Sequence, residues 1–290
     1  MMMLQEHSRV GIGILPDVTV TDVPAAGAET EIATGDGTAL QARLVGESFG
    51  FMAETLDIEL EADATVAPPA GGTFETSDTI VAFAAKVGMA WGFSLGMEGA
   101  EEVETDNATG QSNTEEGSII SAGAVWRLSD VFSIGGTFGT ETVEQTGGGT
   151  TVEGDRIVSR IGLGFYERDG EDGFHLEVFR EGRGLLEIRD AGGNLITGEE
   201  EETVGATVEV VFSNILLGVE VLSVSTDVVD PFVTPNPHVE EEDETTISVG
   251  WVPETGLAIV LTLVSDEETS NVNADAEEID ATFVGFSWVF

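Results

Sequence analysis

Apolar and polar residues alternate with period two along most of the chain. The closing stretch, residues 280–290, shows it best: Thr282, Val284, Phe286, Trp288 and Phe290 share one face, and Ala281, Phe283, Gly285, Ser287 and Val289 share the other. The first face is apolar and becomes aromatic toward its end, which marks a strand with one oily side. The same reading gives candidate strands at 9–14, 39–46, 49–61, 75–86, 91–104, 117–127, 131–143, 156–167, 174–180, 203–212, 215–225, 244–252, 257–264 and 280–290. Their usual length is ~9 to 13 residues, which suits a tilted crossing of a hydrocarbon layer. Short turns such as Leu128-Ser129-Asp130 and Ser213-Asn214 alternate with longer connections rich in Asp, Glu, Gly and Pro.

No run approaches the ~18 apolar residues of a membrane-spanning helix. The expected fold is all-β: one antiparallel transmembrane β-barrel over residues 1–290, with about fourteen strands. Twelve is the alternative count, because the first strand is the least marked. Short turns on one rim and long acidic loops on the other match the periplasmic and extracellular ends of such barrels. Residues 16–37 are expected to form a long loop or a partial plug.

The terminal Phe290, with Trp288 and Phe286, resembles the closing strand of Gram-negative outer-membrane β-barrels. That resemblance implies an outer-membrane location, lipid around the barrel, and recognition of these three residues by the barrel-assembly machinery. Residues 123–138, Gly-Ala-Val-Trp-Arg-Leu-Ser-Asp-Val-Phe-Ser-Ile-Gly-Gly-Thr-Phe, look like the long-chain fatty-acid and hydrocarbon transporter family. In that family a strand ending in a short polar turn and followed by a glycine-punctuated strand recurs. The family also has an N-terminal plug. Here little precedes the first strand, and an unplugged barrel would resemble an open porin.

Charge narrows the choice of partner. Ten basic residues against 55 acidic ones give a net charge of −45, which argues against nucleic acid, since phosphate binding needs basic patches. Two readings explain the acids: adaptation to high salt, where a Debye length of ~3 Å at 1 M screens self-repulsion, or divalent-cation binding by acidic loops. Their spread over nearly every connection favours the first. Met1 to Glu6 has neither the basic nor the apolar part of an export signal. The chain is therefore expected to be a mature, truncated or mis-started form.

With the apolar face of each strand turned to lipid, the other face becomes the lumen. It carries glycines such as Gly92, Gly135 and Gly205, and the charged residues Arg9, Arg43, Lys86, Arg127, Arg156, Arg160, Arg168, Glu98, Glu141, Glu177, Glu209 and Glu220. These are the candidate pore-lining residues. Arg9, Arg43, Lys86, Arg127 and Arg168 lie near short turns, which suggests a basic periplasmic mouth. The alternative is that the charges pair and brace the wall. Glu54 conflicts in phase with Met52, Leu56 and Ile58; a bulge or a later strand start would remove the conflict.

Enzyme chemistry and cofactors are not expected. The histidines His7, His175 and His238 have no metal-ligand spacing, and no phosphate-binding loop, nucleophile elbow or zinc-protease motif occurs. The stretch 271–277 lacks the turn glycine of a calcium loop and reads as a solvated acidic loop. The leading function is an outer-membrane channel passing ions or small solutes by passive diffusion. A transporter of hydrophobic compounds would instead place apolar residues on the lumen phase, where Phe283, Val260, Val211 and Phe179 stand. A soluble, halophilic, β-rich surface or adhesion protein is the third reading.

Overall fold

The computed structural model describes residues 8–24, 29–46, 48–62, 72–88, 90–106, 109, 111–147, 150–169, 172–189, 195–229, 238–271 and 276–290. Fourteen strands follow in order: β1 (Arg9–Val23), β2 (Thr30–Val45), β3 (Phe49–Ala62), β4 (Gly72–Val87), β5 (Trp91–Asp106), β6 (Gln111–Arg127), β7 (Phe132–Gly147), β8 (Thr150–Asp169), β9 (Asp172–Arg189), β10 (Leu195–Phe212), β11 (Ile215–Val229), β12 (His238–Trp251), β13 (Gly256–Ser270) and β14 (Ala276–Val289). Each pairs antiparallel with its sequence neighbours, and β1 pairs with β14 to close the ring. Closure leaves no unpaired edge, as lipid demands. Arg9 stands opposite Val289, and the Phe290 N–H donates to the Ser8 carbonyl at 3.1 Å. Both ends of the barrel chain therefore lie on the rim of short turns.

The outer face divides by height. From the short-turn rim upward, β5 presents Trp91, Phe93, Leu95 and Met97, β11 presents Ile215, Leu217, Val219 and Val221, and β13 presents Leu257, Ile259, Leu261 and Leu263, all exposed. The next outward positions are Gly99 and Glu101, Ser223 and Ser225, Ser265 and Glu267. The apolar belt thus covers seven residues of each of these strands. At ~3.3 Å per residue and a ~40° tilt, that is ~18 Å, which fits within the ~25 Å apolar band of outer-membrane barrels. All four tryptophans, Trp91, Trp126, Trp251 and Trp288, point outward beside the short turns. Trp91 stacks on Trp126 with ring centroids 5.6 Å apart. Phe49, Phe212 and Phe290 join them, completing an aromatic girdle at one membrane interface.

Above the belt the wall continues, and this corrects several expectations. Strands run for 14 to 20 residues, longer than the alternation suggested. Of the segment 16–37, expected as a long loop or partial plug, residues 16–23 and 30–37 are paired strand. β1 passes a bulge between Ile14 and Asp17 and stays paired to Val23, and β2 begins at Thr30. Pro16 sits in that bulge, where a missing N–H costs no ladder bond. Residues 181–189 and 195–201, between two expected strands, likewise become the upper parts of β9 and β10. Much of the acidic sequence expected as loops is paired strand, as in Glu116, which stands opposite Glu101, and Glu242, which stands opposite Glu268. Where both faces of a wall are wet, no hydrophobic alternation marks it, yet backbone pairing still satisfies its N–H and C=O groups.

Neither a bulge nor a late start resolves the Glu54 conflict. Gln41 and Glu54 are paired across β2 and β3 and bonded at 2.8 Å, in phase with the inward Arg43 and Ala39. Met52, Leu56 and Ile58 therefore face the lumen with Glu54, and the lipid face of β3 is Phe51, Ala53 and Thr55.

Candidate lumenal site

Inside the lower half of the barrel lies a cavity of about 380 Å³. Strand parity brings together residues far apart in sequence. Arg9 from β1, Gln41 from β2, Glu54 from β3, His175 from β9 and Glu209 from β10 supply the polar part of its lining. Val211, Leu216, Val260 and Phe283 supply the apolar part. Arg9 and Arg43 are directly opposite on β1 and β2, and Glu54 and Glu209 face Arg9 within electrostatic range. The two like charges are thus offset by two carboxylates, one from each side of the lumen.

Glycine on the inward phase makes room for the large rings. A side chain at Gly13 would overlap the Phe283 ring, and one at Gly205 would overlap the Phe179 ring. The Arg160 guanidinium lies 3.5 Å above the centre of the Phe179 ring, a cation–π contact that holds ring and charge together. His175 sits between two carboxylates: Nδ1 is 3.2 Å from Glu209 Oε2, and Nε2 is 3.8 Å from Glu177 Oε2. Tyr166 meets its ring edge-on.

Higher on the β7–β10 side the charges knit into a network. Arg156 Nε donates to Glu141, both side chains being only 7% exposed. Arg183 reaches Glu141 at 3.5 Å, Glu201 at 3.5 Å and Glu181 at 3.3 Å, and Arg160 Nη2 donates to Glu177 at 3.4 Å. Val143, Leu186 and Ile188 form a small apolar core beside it.

The β11–β13 wall is different. Glu220, Glu240, Glu242, Glu244, Asp266 and Glu268 all lie on its inward phase, with Glu242 opposite Glu268 and Glu244 opposite Asp266. Hydroxyls and one imidazole meet three of them: Thr207 donates to Glu220 at 2.6 Å, Thr246 donates to Glu244 at 2.8 Å, and His238 Nε2 lies 3.1 Å from Glu240. The Glu242–Glu268 tier stands above the apolar belt. Burial, then the charges of Asp266, Glu268 and Glu244, pushes the Glu242 carboxyl up to about 7. Burial raises Asp266 and Glu268 as well. Like charges held side by side in a partly dry wall favour the neutral acid.

The sequence-derived candidates therefore fall into groups. Arg9, Arg43 and Glu209 meet at or beside the cavity. Arg156, Arg160, Glu141 and Glu177 belong to the network, and Glu98 and Glu220 face the lumen from β5 and β11. Lys86 is exposed at the short-turn rim on β4. Arg127 does not reach the lumen; it braces its own turn, donating to the Ser129 and Asp130 carbonyls at 3.2 and 2.6 Å. The side chain of Arg168 lies outside the described residues. The mouth is thus not a ring of five bases. Phe286, Trp288 and Phe290 all point outward at the girdle.

Arg183, Glu181 and Glu201 escaped the sequence reading because Gly182, Gly184 and a register shift between Glu199 and Glu201 interrupt the alternation around them. His175 escaped because its partner Glu209 is a strand away. Among the described residues no three His, Asp or Glu side chains are grouped to hold a metal ion.

No family model matches the chain, and no curated protein matches it. Solved structures do resemble it. The deltaS2 mutant of the TodX monoaromatic hydrocarbon channel superposes with a TM-score of 0.58 at 10% identity, over 100% of this chain and 92% of that one. A Pseudomonas aeruginosa FadL homologue gives 0.56 at 8% identity over 97% and 90%. The Ralstonia pickettii toluene transporter TbuX gives 0.52 at 9% identity over 99% and 90%. Closed ring, lipid-facing belt and likeness together give this chain the fold of a fourteen-stranded outer-membrane β-barrel.

Proposed function

We propose that the protein is an outer-membrane channel that passes small solutes by passive diffusion, and that its route suits small hydrophobic compounds. The observation that carries this reading is the apolar inward surface: Met52, Leu56, Ile58, Val211, Leu216, Val260 and Phe283 face the lumen, where a simple ion pore would present polar groups. Neighbours of the same fold are described as a monoaromatic hydrocarbon channel and a toluene transporter, which supports the same solute class. The short-turn rim is then periplasmic, and the acidic extension projects outside the cell, where a net charge of −45 suits a saline medium. The lipid-facing belt weighs against a soluble surface or adhesion protein.

The test is uptake of labelled toluene by vesicles carrying a lipopolysaccharide outer leaflet, with and without the refolded protein. Faster uptake with protein is expected. Equal uptake, together with open steps in a planar bilayer, would return the reading to a plain ion-passing porin. Equal uptake without conductance would remove the channel reading.

A second observation favours passage of ions as well. The inward carboxylates of β11–β13 form a column with cation preference.

A further inference from the structure

We propose that small hydrophobic solutes travel between the outer mouth and the cavity along one wall of the lumen, the inward face of β13, β14 and β1 to β4, rather than along the charged wall opposite. This rests on the channel reading and adds to it the path that the solute takes.

Strand register assembles the wall. Val264, Ala281, Val18, Gly35, Leu60 and Phe74 stand side by side on six neighbouring strands, from β13 through β14 and β1 to β4. Directly paired residues share a face, and Gly35 is in phase with Ala39 and Gln41, which line the cavity. The whole tier therefore looks inward. One step toward the cavity come Leu15 and Ile58, paired with Gly37 from either side, and then Phe283, which lines the cavity itself. One step toward the outer mouth come Val20 and Ile279, paired with each other. Asp266 beside Ile279 and Asp78 beside Leu56 mark the edges of this apolar field.

Glycine closes its gaps. A side chain at Gly35 would overlap Leu60, and one at Gly37 would press on Ile58. The two large side chains of β3 thus lie over β2, toward Leu15 and Val18 of β1, which are buried. Ile58, Leu60, Phe74 and Ile279 stay half-exposed, so the wall offers apolar surface to the lumen.

The facing wall is of the other kind. β10 lies seven places from β3 in the ring of fourteen, and the β7–β10 side holds the ion pairs of Arg156 with Glu141 and of Arg183 with Glu201. A toluene molecule there would displace water from charged groups and return no hydrogen bond to them. Against Leu60 and Ile58 it removes apolar surface from water, its own and that of the wall. Contact on one side only keeps the hold weak, as conduction requires of a site that must also release its solute.

The chain has no cysteine, so one introduced thiol reports its own surroundings. Leu60→Cys places it on the apolar wall. Thr203→Cys places it on β10, where Thr203 donates to Glu201 at 3.4 Å. Each refolded variant in lipid vesicles is treated with a small water-soluble methanethiosulfonate, with and without saturating toluene. Toluene should slow the modification of L60C several-fold and leave that of T203C unchanged. Equal slowing at both positions, slowing at T203C alone, or an L60C thiol that never reacts would overturn the proposal. In the uptake assay, Leu60→Asn should lower toluene uptake several-fold and Thr203→Asn should leave it unchanged; full uptake by L60N would count against the path in the same way. Unaltered protein that takes up no toluene would sink the channel reading itself. Uptake by the unaltered protein without protection at L60C would remove the path alone.

Discussion

Phe283 of β14 lies over Gly13 of β1, so that any side chain at position 13 would occupy the volume of the ring. The two strands are neighbours across the closure of the barrel, with Gly13 opposite Gly285. Phe283 therefore holds its place in the cavity because two small residues leave a bed for it. Gly13→Ala should cost about 1–3 kcal/mol, the usual penalty of overpacking, or be relieved by the ring swinging into the lumen. Urea unfolding reads the first effect and a fall in toluene uptake the second. Phe283→Ala should raise uptake of bulkier aromatics, measured with the same vesicles.

The apolar belt makes a depth-dependent prediction. Val219 is exposed in the middle of the belt, and Asp227 stands on the same strand and face above it. Val219→Arg should destabilise the inserted barrel by about 2–4 kcal/mol, and Asp227→Arg by about 0–1 kcal/mol. Reversible unfolding from phospholipid vesicles, followed by tryptophan emission, distinguishes them. Equal costs at the two sites would mean the belt has been misplaced.

The buried pair Arg156–Glu141 couples β8 to β7. Removing one member of such a pair leaves an unmatched charge, at a cost of ~3–5 kcal/mol. Glu141→Gln should fall at the low end, because Glu201 stands 3.9 Å from Arg156 Nη2. The double change Arg156→Met with Glu141→Leu should recover most of the loss, since replacing both ions with apolar groups is often neutral. A double-mutant cycle on unfolding free energies gives the coupling directly.

Above the membrane, the Glu242 carboxyl is raised to about 7, well above its value in an unfolded chain. The folded state then binds more protons than the unfolded state between roughly pH 4.5 and pH 7. Stability should therefore rise as pH falls through that window and level off below it, while above it the full repulsion remains. Thermal unfolding in detergent at stepped pH should show this rise, and Glu242→Gln should flatten it. Added salt at pH 8 should give part of the same gain by screening.

Period-two alternation, outward aromatics and short turns are properties of the sequence, and they were enough to give the strand number, the closed antiparallel ring and the lipid face of β5, β11, β13 and β14. Lipid enforces that signal, because the outward positions in the belt must be predominantly apolar. Where lipid ends, the signal ends. Much of the acidic upper wall was legible only as loops, since water accepts charge on both faces and pairing there is decided by the neighbouring strand. The face of β3 was ambiguous for a related reason: Met52, Leu56 and Ile58 look like lipid contacts until the register against Gln41 and Arg43 turns them inward. The cavity was not legible at all. Arg9, Glu54, His175 and Glu209 meet only because closing β1 onto β14 folds the sheet into a ring, and distances across a ring have no trace in the spacing of residues along the chain.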